Sequence, residues 1–452
     1  MENQINTREL IVDMLMEIYA GNEYSHILIR SVLNKYEYLP ESDRAFVKKV
    51  TEGTLERGIT IDYILNQYSK VPVNKMKPFI RSLMRMSVYQ IVYLSKVPDS
   101  AACNEAVKLA VKRKFGPLKG FVNGVLRNIA REKDKITFPS EGTDLSKALE
   151  IKYSLPKHLV ELFLEEQGEE KTKQIGESLL QTRNLCIRMG EHLTEEEKQS
   201  VFSEWGNAGV DYQKHPWLSY AYIMKNTENP AAFTGFQKGL YQVQDVSSML
   251  VCEIAGIKEG DYCIDVCSAP GGKALHACEK LNKTGTVDAR DVSVYKTDMI
   301  LANKERMQAE NLTVKVWDAT VCDKDSIEKA DVLLADVPCS GLGVMGKKPD
   351  IKYNIKPEQL ESITELQKEI IDTVNVYVKP GGVMIYSTCT VRNAENKEMV
   401  SYIEENYDFE LEDISDFLPE ELRSEETKKG YLQLLPSEWS DGFFMAKLRK
   451  KK

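Results

Sequence analysis

Apolar positions recur every three or four residues through the first third of this chain. They recur every second residue, or in short unbroken runs, through its last half. Leu10, Ile11, Met14, Leu15 and Ile18 share one helix face, as do Ile80, Leu83, Met84, Val88 and Ile91, so residues 1–135 read as an all-helical domain. Asp99 or Ser100 stands where a cap is expected for a helix through Glu105, Ala106, Leu109 and Ala110, and Gly116-Pro117 ends it. A last helix over Phe121–Ala130 leads into a charged exit at 131–135. Residues 136–150 mix Pro, Gly, Ser and Thr and read as a linker. The stretch 150–235 reads as a small α+β module. It has helices over His158–Glu166 and Glu195–Trp205, an alternating strand at Leu185, Ile187 and Met189, and another near Tyr220–Met224. From 236 to 452 short apolar strands (Tyr262–Val266, Thr286–Val292, Thr313–Val316, Val332–Ala335, Val383–Tyr386) alternate with helices such as Gln359–Val376. That rhythm predicts an α/β, Rossmann-like domain with a doubly wound, mostly parallel sheet. Ligands of such sheets bind beyond the carboxyl ends of the strands.

A chain of 452 residues exceeds one ordinary core, and 42% apolar with 29% charged residues is not a disordered composition. No run approaches the roughly eighteen apolar residues of a membrane span, and MENQINTREL lacks a signal pattern, so a cytoplasmic protein with no membrane partner is expected. Nine cysteines and five histidines show no paired ligand motif; Cys263 and Cys267 have no second pair downstream, so no metal is expected. The net charge of −9 disfavours a nucleic-acid partner until it is resolved by segment. Residues 71–135 carry 14 Lys and Arg against 4 Asp and Glu, the footprint of a local phosphate-binding face, although a solvated helix surface would look similar. Lys112, Arg113 and Lys114 are the candidate RNA contacts there.

The strand ending in Asp265-Val-Cys267 runs into Ser268-Ala269-Pro270-Gly271-Gly272-Lys273 and then a helix over Ala274–Leu281. Two glycines and a free helix N-terminus suit close approach of a ligand, but the loop matches neither a P-loop nor a dinucleotide fingerprint. A nucleoside with a short amino-acid arm, S-adenosylmethionine, suits it better. Asp291 ends the next strand, 20 residues after Gly271, where an acid receives ribose hydroxyls. Asp318 ends the third strand and is placed to accept from the adenine amine.

The fourth strand ends Asp336-Val-Pro-Cys339 and the fifth Ser387-Thr-Cys389, so one sheet edge receives two thiols and a carboxylate. Carbon 5 of cytosine is too electron-poor to attack a sulfonium methyl unaided. A thiolate added to carbon 6 makes carbon 5 nucleophilic; the carbon-5 proton and the thiolate then leave. Asp336 is placed to hold N3 or the exocyclic amine of the base.

These motifs carry a resemblance. Asp265-Val-Cys-Ser-Ala-Pro-Gly-Gly-Lys273, Asp336-Val-Pro-Cys-Ser340, Lys348-Pro-Asp-Ile-Lys352, Ser387-Thr-Cys-Thr390 with Glu395-Asn396, Gln433-Leu-Leu-Pro436 and Asp441-Gly-Phe-Phe444 together resemble the Sun/Fmu/RsmB group of bacterial RNA cytosine-C5 methyltransferases. Asn104–Lys108 and Phe121–Asn128 resemble a NusB-type RNA-binding domain. The resemblance spans essentially the whole chain and implies a cytosine of 16S (small-subunit) ribosomal RNA as target, met as RNA or in a small-subunit assembly intermediate. It implies Cys267 to Lys273, Asp291, Asp318 and Asp336 around S-adenosylmethionine, Cys389 as nucleophile and Cys339 as the group that assists product release. Val337 replaces a usual Ala, and Asn393-Ala-Glu395-Asn396 lacks one acid of the commoner Pro-Glu-Glu-Asn.

Rival readings are an RNA methyltransferase acting on tRNA or another RNA, a DNA cytosine-C5 methyltransferase with Pro338-Cys339 as its nucleophile pair, and a non-catalytic, antitermination-like RNA-binding factor. The Thr388-Cys389 pair and the helical N-terminal domain favour RNA. An amino-methyltransferase is disfavoured because no Asp/Asn-Pro-Pro-Tyr/Phe follows the fourth strand.

Overall fold

The computed structural model describes residues 5–21, 23–181, 184–227 and 229–452. The chain forms two compact units, Met1–Gln181 with Met345–Lys356, and Thr182–Val344 with Pro357–Lys452. Among the described residues no helix is long and apolar enough to cross a membrane.

The first unit is helical. Its main helices are α1 (Thr7–Tyr19), α2 (Ser25–Lys35), α3 (Glu41–Glu56), α4 (Gly58–Tyr68), α5 (Pro78–Tyr93), α6 (Asp99–Lys112), α7 (Lys119–Glu132), α8 (Leu145–Tyr153) and α9 (Lys157–Ser178). The apolar stripe of α1 is buried as its spacing requires, and Asn6 caps it by accepting from the Glu9 N–H. Helix α5 is buried almost all round, and the Ser87 hydroxyl and Gln90 amide on it donate to main-chain carbonyls one turn back. Helix α6 starts at Asp99 without a side-chain cap; the Asp99 carboxylate instead pairs with Lys133 at 2.9 Å. The stretch read as a linker contains α8, because Asp144 caps a short run whose Ala148, Leu149 and Ile151 find a core only in three dimensions.

The Lys348–Lys352 motif belongs to this helical unit. Asp350 accepts from the Ser25 N–H at the start of α2, while Lys352 Nζ and the Tyr353 hydroxyl donate to the last carbonyls of α3, Glu56 and Leu55. A carboxylate at a helix N-terminus and a cation at a C-terminus each complement the helix dipole.

The second unit begins with a four-stranded antiparallel sheet of order β2-β3-β1-β4, from β1 (Leu185–Met189), β2 (Asp211–Lys214), β3 (Ala221–Lys225) and β4 (Tyr241–Val243). A helix over Glu195–Asn207, opened by a Thr194/Glu197 capping box, packs Val201 and Trp205 against it. The larger sheet is built from β5 (Tyr262–Asp265), β6 (Thr286–Asp291), β7 (Leu312–Val316), β8 (Ala330–Asp336), β9 (Val378–Thr388), β10 (Phe409–Leu411), β11 (Tyr431–Leu434) and β12 (Phe443–Lys450). Its order is β10-β12-β9-β8-β5-β6-β7, with β11 also on β12; β7, β6, β5, β8 and β9 are parallel, and β10, β11 and β12 add antiparallel pairs. The expected doubly wound, mostly parallel sheet is present, and its strand order reverses between β5 and β8, the place where such sheets open a crevice.

Candidate active site

Strand β5 delivers the glycine loop, and its closing geometry explains the residues in it. Gly271 sits at φ +98, a conformation that L side chains avoid, and an added Cβ there would press on Ile300. Its N–H donates to the Ser268 carbonyl, and the helix Gly272–Lys280 begins directly after it. Asp291, buried at the end of β6, braces the loop from outside: its carboxylate accepts from the Ala269 N–H at 2.9 Å and the Val292 N–H at 2.8 Å, and pairs with Lys296. Asp318 lies exposed beyond β7, where Thr320 donates twice to one of its oxygens and holds the carboxyl below the usual range. Burial raises the Cys267 thiol well above its ordinary pKa.

One acid of the glycine motif was not among the residues singled out from sequence. Asp265 is fully buried, and neither carboxylate oxygen has a hydrogen bond of good geometry; the buried Ser268 hydroxyl beside it is equally unsatisfied. Burial pushes the Asp265 carboxyl up to about 7 against the pull of the nearby Lys273 ammonium, and the charge of Asp336 adds to the rise. Orphaned buried oxygens of this kind fit a ligand that brings a cation and a donor. Only the ending of β5 in an acid could have signalled it.

Strands β8 and β9 are parallel, with Asp336 opposite Ser387, so the residues just past their ends meet. Asp336 accepts from Lys273 Nζ at 2.7 Å on one oxygen and from the Ser387 hydroxyl at 2.7 Å on the other. Lys273 lies 5.3 Å over the Phe443 ring. Burial alone would lower its pKa, but Asp336, Asp265 and Cys389 more than offset that and hold it charged. Cys339 and Cys389 face each other with sulfurs 3.1 Å apart, both partly accessible. The contact with Cys389 and burial raise the Cys339 thiol well above its ordinary pKa, and either sulfur can donate to the other.

The loops carrying the sulfurs are tightly built. Gly343 donates to the Cys389 carbonyl and accepts from the Gly442 N–H, and a Cβ there would lie 1.9 Å from the Gly442 carbonyl oxygen, so no other residue fits. Gln433 donates to the Thr390 and Phe443 carbonyls and so ties the Gln433–Pro436 and Asp441–Phe444 segments to the loop after Cys389. Glycine loop, Lys273, Asp336, Cys339 and Cys389 thus come together at one sheet edge. Lys112, Arg113 and Lys114 lie at the end of α6 in the helical unit; Lys112 and Arg113 pair with Glu9, Arg113 also with Asp13, and Lys114 is exposed. Among the described residues Glu191, Glu253 and His276 also cluster, but Lys280 Nζ bridges the two carboxylates at 2.9 and 2.6 Å and supplies their counter-charge.

A doubly wound sheet of this order, with a glycine loop after β5 and Asp291 ending β6, places a nucleotide-type ligand site at its reversal point. Residues 254–449 match the family model of the 16S rRNA methyltransferases RsmB/F, and residues 5–131 match the NusB family. The chain is 33% identical to the probable ribosomal RNA small subunit methyltransferase B of Bacillus subtilis (strain 168), over 99% of each chain. It is 27% identical to ribosomal RNA small subunit methyltransferase B of Cronobacter sakazakii, over 100% of each. The crystal structure of PH0851 superposes with a TM-score of 0.80 at 21% identity, covering 99% of both chains. The chain belongs to the RsmB/F family of 16S rRNA methyltransferases.

Proposed function

We propose that this protein transfers a methyl group to carbon 5 of a cytosine in 16S ribosomal RNA through a covalent bond between Cys389 and carbon 6. The observation that carries the reading is the approach of two sulfurs to 3.1 Å beside the Lys273–Asp336 ion pair. S-adenosylmethionine, the cofactor of this methyltransferase family, supplies an electrophilic methyl group when bound. Asp265 and Ser268 take its amino-acid arm, the Gly271-Gly272 backbone allows its close approach, and Asp291 and Asp318 take ribose and adenine.

The chain's own groups divide the chemistry. Cys389 gives its proton to solvent, and the thiolate adds to carbon 6 and leaves carbon 5 nucleophilic, with the Lys273 ammonium close enough to interact with it. Asp336, already an acceptor for two donors, accepts from the exocyclic amine of the base. Cys389, once bonded to carbon, no longer carries charge, and the largest cause of the raised Cys339 pKa disappears with it. Cys339 then releases its proton to solvent and, as the thiolate, removes the carbon-5 proton; the carbon-sulfur bond breaks and Cys389 regains its electron pair. Exposed Lys114 and its neighbours on α6 contact the RNA backbone, with the target base unpaired or extruded.

The direct test uses tritium-labelled methyl donor and small-subunit rRNA. The expected result is one labelled site that reads as 5-methylcytosine in bisulfite sequencing. Label in tRNA only would move the substrate, and no label in any RNA would favour a binding factor.

Cofactor affinity should also depend on pH through Asp265. Its folded-state pKa is raised, so ionising it opposes folding of the ligand-free protein, with no penalty below the ordinary carboxyl range and the full penalty above about 7. A bound ammonium favours the carboxylate, so below about 7 binding must expel a proton. Between pH 7 and 5.5 the Kd, followed by calorimetry, should rise by up to roughly tenfold per pH unit. A flat Kd over that range would remove Asp265 from the amine site.

A further inference from the structure

We propose that the turn at Glu395 and Asn396 sets the spacing of the two sulfurs, Glu395 positioning Cys339 and Asn396 positioning Cys389. The proposal rests on the cysteine roles given above. No hydrogen bond joins either side chain to a sulfur. Asn396 instead holds the residues on both sides of Cys389, and Glu395 does the same for Cys339 together with Gln367.

The bracket around Cys339 is made by Glu395 and Gln367. Glu395 Oε2 accepts from the Ser340 N–H at 2.8 Å and from Gln367 Nε2 at 3.2 Å, and the same Gln367 nitrogen donates to the Pro338 carbonyl at 2.9 Å. The residues before and after Cys339 are thus tied to one Glu–Gln pair. The bracket around Cys389 is made by Asn396. Its Oδ1 accepts from the Thr388 hydroxyl at 2.6 Å, and its Nδ2 donates to the Thr390 carbonyl at 3.1 Å and to Gln433 Oε1 at 2.7 Å.

The two brackets are one object. Glu395 and Asn396 share a peptide unit, the Ser340 and Thr390 hydroxyls meet at 2.8 Å, and the Tyr386 hydroxyl donates to the Glu395 carbonyl at 2.6 Å. Gln367, Thr388, Thr390, Glu395 and Asn396 are all fully buried. A carboxylate out of water, with one oxygen lacking a hydrogen bond, is costly to keep where packing alone would be served by an apolar residue. Precise placement is what such a network supplies, and misplacing a reacting group by about 1 Å costs on the order of 100-fold in rate. The two sulfurs must reach neighbouring atoms of one pyrimidine ring, so their separation is a catalytic quantity.

The test separates the two halves of the reaction in the full-length protein with 16S rRNA and labelled cofactor. Glu395→Ala and Gln367→Ala should form the covalent RNA adduct at a near-normal rate but resolve it about tenfold or more slowly, so that adduct accumulates. Asn396→Ala and Thr388→Val should slow adduct formation about tenfold or more and accumulate none. Glu395→Gln keeps an acceptor for the Ser340 N–H and should restore resolution to within about threefold of the parent. Cofactor Kd and melting temperature identify any variant that fails to fold; Thr388→Val and Gln367→Ala, each removing a single side-chain contact set, then carry the comparison. Equal slowing of both steps in both sets means general loosening and overturns the proposal, as does parent-like behaviour of both sets. Methylation by Cys389→Ser would sink the cysteine roles themselves, whereas a dead Cys389→Ser beside a parent-like Glu395→Ala sinks only the positioning claim.

Discussion

Cys389→Ser should abolish methyl transfer to 16S rRNA, with turnover lowered by roughly 10⁴-fold or more. The substitution is nearly isosteric but replaces an ionisable thiol with a hydroxyl that stays protonated. The partner sulfur cannot compensate. Cys339 holds its proton well above the ordinary thiol range, and its loop is fastened through Ser340 and Gly343 in the position opposite Cys389. Cofactor affinity should change little, because Asp265 and the glycine loop after it belong to strand β5, which β8 separates from β9, and owe nothing to this thiol's hydrogen bonds. The assay is methyl-tritium incorporation at saturating rRNA, with cofactor Kd measured alongside. Residual transfer within tenfold of the parent would assign the nucleophile to Cys339, the arrangement of a DNA-type enzyme.

The second large effect is opposite in kind. Cys339→Ala should still form the bond between Cys389 and the base and transfer one methyl, then stall. Removing the base that takes the carbon-5 proton is expected to slow release by about 10²–10⁴-fold. The protein should therefore run as a covalent RNA complex that survives denaturing electrophoresis, with a burst of one methyl per protein chain and little turnover after it. The Sγ–Sγ distance of 3.1 Å is the reason: a group that touches the nucleophile is also within reach of the atom next to the one attacked. Turnover at the parent rate, or no adduct, would leave Cys339 as a packing residue.

Much of this site was legible in the chain because its parts sit at strand ends. Alternation and unbroken apolar runs located β5, β6, β7, β8 and β9, and a parallel sheet must present the residues after those strands at one edge. Hence Gly271, Asp291, Asp336, Cys339 and Cys389 could be singled out before any distance was known. The antiparallel strands β10, β11 and β12 were less visible: β11 and β12 carry the Gln433 and Phe443 motifs, yet nothing local says that β12 pairs with β9. Helix α8 hid in a stretch whose Pro, Gly and Ser content suggested a linker. The 348–352 motif read as part of the catalytic domain, but its Asp350 and Lys352 answer to the ends of α2 and α3, some three hundred residues earlier in the chain.

The sequence by itself determined the parallel strands and which side chains reach the carboxyl edge of the sheet, because both follow from periodicity and from the identity of immediate neighbours. Only the tertiary structure decided that Asp265 is a buried, unsatisfied carboxyl at about 7, that Lys273 turns to Asp336 and Cys389, and that Glu395 and Asn396 bracket both sulfurs. Those properties come from desolvation and from contacts between residues far apart in the chain, and neither has a local signature for a sequence pattern to carry.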